Sequence, residues 1–100
     1  MLARMVGLRS NGELAQARIE LDQAYSLLLG SQGDLLRQVD SATAARLLGS
    51  RERIATFAQL LNEEAALEED KHRRAHLTRR AAELQFEAER LDSTNPKHSN

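Results

Sequence analysis

The sequence predicts an all-α fold, and three observations lead there. Leu, Ala, Arg, Glu and Gln dominate the 100 residues, while β-branched residues are few. The single proline lies near the C-terminus, so nothing interrupts long helices upstream. Apolar residues recur at i, i+3, i+4 and i+7, the spacing that lines one side of a helix. Apolar residues make up 41% of the chain, enough for a core, and only three residues are aromatic (Tyr25, Phe57 and Phe86). A core of Leu and Ala follows. A chain of this length is one small domain, placed at 1–91, that buries roughly 60–65% of its unfolded surface.

About five or six helices are expected along the chain. Residues 2–9 read as the end of a first helix, with Leu2, Met5, Val6 and Leu8 apolar. Ser10 to Glu13 breaks it. Ser10 and Glu13 have capping-box spacing and Asn11 is an equally good cap, so the second helix starts there. That helix, 11–29, organises the rest of the chain. Leu14, Ala17, Leu21, Ala24, Tyr25 and Leu28 line one side, while Ile19, Leu27 and Leu29 put bulk elsewhere, so neighbours must cover it on more than one side. Gly30 suits a left-handed terminator.

Short pieces follow. Gly33-Asp34 opens a brief helix carrying Leu35, Leu36 and Val39. Asp40 or Ser41 caps another, Ala42 to Leu48, which Gly49 ends. Their leucines should plug onto the longer helices. Ser50 caps a long helix to about Asp70, with Ile54, Phe57, Ala58, Leu61 and Ala65 as its stripe and Leu60 and Leu67 widening it. A last helix runs from about His72 to Leu91, and 92–100 is a polar tail expected to be disordered.

A repeat is partly visible. Gly12-x-Leu14-x-x-Ala17-x-x-x-Leu21-x-x-Ala24 has an echo in Asp70, Ala75 and Ala82, where a turn residue again sits five before an Ala and a second Ala follows seven later. Two alanines one heptad apart let a neighbouring helix approach closely. The first copy resembles the second helix of a tetratricopeptide repeat. The second departs, with Asp70 for Gly and His72 for a bulky apolar residue, and the two copies lie farther apart than in a tandem array. Residues 5–91 as a whole resemble a family of small uncharacterised bacterial helical proteins, through the phrase Ala24-Tyr25 to Leu28-Leu29-Gly30 followed by a short leucine-rich insert. The resemblance implies antiparallel tetratricopeptide-like hairpins with a short helical insert and, by analogy of fold, protein binding, with no known activity.

Composition excludes several function classes. A formal charge of −1 gives no global attraction to nucleic acid or anionic membrane. Without cysteine there is neither disulfide nor thiol chemistry, which suits a cytoplasmic protein. No apolar run approaches the roughly 20 residues of a membrane span, and Met1 to Ser10 is too short and too interrupted by arginine for a secretory signal.

Candidate chemistry is sparse. Lys71, His72, Arg73, Arg74, His76, Arg79 and Arg80 form a basic run. A nucleic acid or another acidic partner could be held by Arg73, Arg74, Arg79 and Arg80, but acids precede the run and the pairs Glu69–Arg73, Asp70–Arg74 and Arg79–Glu83 sit at i, i+4. A solvated, self-paired face is the better reading. His72 and His76 with Glu69 have metal-ligand spacing once, beside a turn, where a di-metal bundle needs two such motifs. Glu63, Glu64 and Glu68 come with no nucleophile or oxyanion donor, and Tyr25 suits a core position with its hydroxyl at the rim. The expectation is a protein that is not an enzyme, takes no cofactor, metal or small-molecule substrate, and acts by protein–protein interaction. Leu2, Met5, Leu27 and Leu29 are the expected partner surface, and a homodimer is the simplest way to cover them.

Overall fold

The computed structural model describes residues 14–94, with side chains as far as 91. These residues form helices joined by links of two or three residues or by a 3-10 turn, with no strand among them. Helix α1 spans Leu14–Leu29, and a 3-10 turn over Gly30–Gln32 leads into α2, Gly33–Gln38. Then come α3 at Ser41–Leu48, α4 at Arg51–Leu67 and α5 at Lys71–Thr94. The expected opening helix at 2–9 and the capping box of Ser10 and Glu13 lie outside the described residues. No helix among those described is long and apolar enough to cross a membrane.

The stops and starts follow local chemistry. Gly30 (φ +59°) and Gly49 (φ +79°) take the left-handed conformation that ends α1 and α3. Ser50 caps α4 by accepting from the Arg53 amide at 3.1 Å. Asp70 caps α5: its Oδ1 accepts from the His72 amide at 3.1 Å and its carbonyl from that of Arg74 at 2.9 Å. Helix α4 ends at Leu67 rather than Asp70, because residues 68–70 form the link whose last member is that cap. Helix α5 continues to Thr94, past the expected end at Leu91.

Arginines close the other ends. The last carbonyls of a helix have no partner within it. Here Arg53 donates to the Leu28 carbonyl at 2.8 Å, at the end of α1, and Arg18 to that of Leu67 at 2.9 Å, at the end of α4. Arg74 donates twice to the Glu68 carbonyl, and Arg80 to those of Leu36 and Arg37 at the end of α2. Because the start of each of α1 and α4 reaches the end of the other, the two run antiparallel.

Helices α4 and α5 pack side by side along most of their length, α1 lies against α4, and α3 against α5. Phe57, Ile54, Leu60, Leu36 and Leu84 are the largest fully buried residues. The short helices do plug this core, but with half of their leucines. Leu36 and Leu48 are buried, whereas Leu35 and Leu47 are 49% and 44% exposed. On α5 the expected small strip of Ala75 and Ala82 faces solvent. The side packed inward carries Leu77, Ala81, Leu84 and Ala88 instead, four residues at i, i+4, i+7 and i+11. The alanines one heptad apart that admit the neighbouring helix are therefore Ala81 and Ala88.

Candidate functional site

Glu64 sits where the core stripe of α4 puts it, one turn beyond Leu61, and is 7% exposed. A carboxylate held there needs partners. Tyr25 Oη on α1 donates to Oε1 at 2.7 Å, and Arg37 near the end of α2 donates to both oxygens at 3.0 and 2.8 Å. Arg73 adds a longer contact at 3.8 Å. The Arg37 guanidinium also lies 4.5 Å from the Tyr25 ring centroid, and that ring meets Phe57 edge-on at 6.1 Å. Four helices thus converge on one carboxylate. Burial, and then the adjacent Glu64 charge, hold the Tyr25 hydroxyl protonated far above the ordinary tyrosine range.

A second buried cation stands nearby. Arg80 is 9% exposed and lies 5.8 Å from the Phe57 ring centroid. Its donors close the end of α2, its Nε has no partner among the described residues, and burial lowers its proton affinity. The arrangement is a clamp: two arginines and a tyrosine tie α1, α2, α4 and α5 together around Phe57. Apart from the Arg80 Nε, its polar side-chain atoms are engaged with one another or with the carbonyls that end α2.

The basic run of α5 is accordingly divided. Arg80 belongs to the interior, not to an anion-gripping face. Arg73 pairs with Glu68 at 3.0 Å, which raises the Arg73 pKa and holds the Glu68 carboxyl below its usual range. Arg74 is committed to the Glu68 carbonyl. Among Arg73, Arg74, Arg79 and Arg80, Arg79 alone has no polar partner among the described residues. The expected i, i+4 pairs give way to these contacts, and Glu83 accepts instead from Ser41 Oγ at 2.8 Å. His72, His76 and Glu69 are all exposed, and no three metal-ligating side chains come together among the described residues.

The expected partner surface is divided too. Leu2 and Met5 lie outside the described residues. Leu27 is 79% exposed, but Leu29 is 4% exposed and packs in the core, because it falls one turn beyond Tyr25 on the inward stripe of Ala17, Leu21, Ala24 and Tyr25. Ile19, at 50%, shares the outer side of α1 with Leu27, Asp22, Gln23 and Ser26. A second apolar projection was missed in the sequence: Phe86 is 59% exposed, in a groove between α3 and α5 lined by Asp40, Ala42, Arg79, Ala82, Glu83 and Glu87. The signal was present, since Phe86 falls off the stripe set by Leu77, Ala81, Leu84 and Ala88. Glu64 was legible in the same way, as an acid in register with Phe57 and Leu61.

No protein-family model matches the chain, and neither does any curated protein or solved structure.

Proposed function

We propose that this chain is a non-catalytic protein-interaction module that self-associates, built on tetratricopeptide-like hairpins and working in the cytoplasm. One observation carries the reading: large apolar side chains project from helices whose inner sides are already fully packed. Leu27, Phe86 and Ile19 are 79%, 59% and 50% exposed around a closed, internally cross-tied core. Ile19 and Leu27 share the outer side of α1 and Phe86 stands in the α3–α5 groove, and apolar surface of this kind is what association surfaces are made of. The antiparallel course of α1 and α4, with α5 packed on α4, agrees with the hairpin reading. The buried polar clamp offers rigidity, not reactivity, which suits a scaffold.

The test is the mass in solution, measured by light scattering over a wide concentration range. A self-associating module should approach about twice the 11.2 kDa of one chain as concentration rises. A mass of one chain at every concentration would overturn self-association.

A further inference from the structure

We infer that the second copy docks on the α3–α5 groove, with the two α5 helices antiparallel across a two-fold axis and Phe86 as the anchor. The inference rests on the self-association reading and says where and how it happens.

A two-fold contact must be complementary to itself. The outer side of α1 is poorly suited: Asp22 sits between Ile19 and Leu27 with no basic residue lining that face, so pairing two such faces brings carboxylate towards carboxylate. The outer side of α5 is different. Phe86 is a large projection, and one turn before it Ala82 is an exposed small residue, flanked by half-buried Ala42 of α3. The groove there measures about 550 Å³. An axis crossing at the level of Leu84 sets Phe86 of each copy against Ala82 of the other, a projection into a hollow.

The same axis sets Arg79 of each copy opposite Glu89 of the other. Both are exposed, and both lack a polar partner among the described residues. The groove's own acids, Asp40, Glu83 and Glu87, are engaged within the chain by Thr43, Ser41 and Arg90, so what the register adds is a projection set into a hollow and a cation set opposite an acid. Length also favours this face. Helix α5 has 24 residues, about 36 Å, against about 24 Å for the 16-residue α1. The longer helix with its α3 rim offers the longer seam for a second copy.

The experiment compares the full chain with Phe86→Asp, Leu27→Asp, Arg79→Glu, and the double variant Arg79→Glu, Glu89→Arg, by light scattering over concentration. Circular dichroism checks folding, which substitution of exposed side chains should leave unchanged. Phe86→Asp is expected to give the mass of one chain, while Leu27→Asp still dimerises. Arg79→Glu should weaken the dimer about tenfold, for two like-charged pairs, and the double variant should restore it. A parent that is a monomer at every concentration overturns the self-association reading and this inference with it. A dimeric parent whose Phe86→Asp variant is equally dimeric overturns the α5 seat alone. Loss of dimer in Phe86→Asp without rescue in the double charge variant overturns the antiparallel register.

Discussion

Tyr25 shows how much one side chain is asked to do. It is the chain's single tyrosine, its ring meets Phe57 and Arg37, and its hydroxyl donates to a buried carboxylate. Its folded pKa is raised, so its contribution to stability is fully present below about pH 10, the unfolded value, and is lost as pH rises above that. Tyrosinate absorbance should therefore not develop near pH 10 while the protein is folded, and should appear together with alkaline unfolding. Titration of the native chain at an ordinary tyrosine pKa would contradict this account. Tyr25→Phe should cost about 2 kcal/mol at neutral pH, for a hydrogen bond to a charged group, and should flatten the alkaline loss. Urea unfolding of parent and variant at neutral pH and above about pH 10 checks it.

Among the elements, α2 depends most on its neighbours. Six residues cannot sustain a helix alone, and Leu36 is its one buried side chain. Its C-terminal carbonyls are held by Arg80 from α5, and its Arg37 reaches Glu64 on α4. Arg80→Met keeps much of the stem's packing but leaves those carbonyls buried without donors. It should cost about 2 kcal/mol, whereas Arg79→Met, one residue earlier and exposed, should stay within about 0.5 kcal/mol. Denaturant unfolding of the two variants is the measurement; equal effects would mean that Arg80 closes nothing. Helix ends were only half readable. Ser50, Gly30 and Gly49 announce theirs through side chain or φ, because those signals act within a turn. The arginine closures were invisible, since each joins residues far apart in sequence.

At the scale of the molecule, the outer surface and the core must be separated before any association experiment is interpreted. Leu27 and Leu29 are two positions apart, yet one is 79% exposed and the other 4%. Leu29→Asp puts an unpaired charge in the core and should unfold much of the chain, whereas Leu27→Asp should leave thermal stability nearly unchanged. Thermal melts followed by circular dichroism distinguish them, and matched melts would place Leu29 outside the core. An association defect in Leu29→Asp therefore reports on folding and not on an interface.

The sequence by itself determined the helical class, the positions of most helix starts and stops, and the core stripe of α4. Those depend on propensity, capping and periodicity, which act over one to four residues. It also showed the short helices as a plug, though not which of their leucines face in. Tertiary structure alone decided that Ala81 and Ala88, not Ala75 and Ala82, meet the neighbouring helix, and that Phe86 points to solvent. It also took Arg80 from the basic face into the interior and gathered Tyr25, Arg37 and Glu64 into one clamp. In a helix rich in alanine and charge, two stripes one residue apart look nearly alike, and the packing of α4 chooses between them. A long arginine reads as surface until a distant helix end, with carbonyls it cannot satisfy itself, comes within reach.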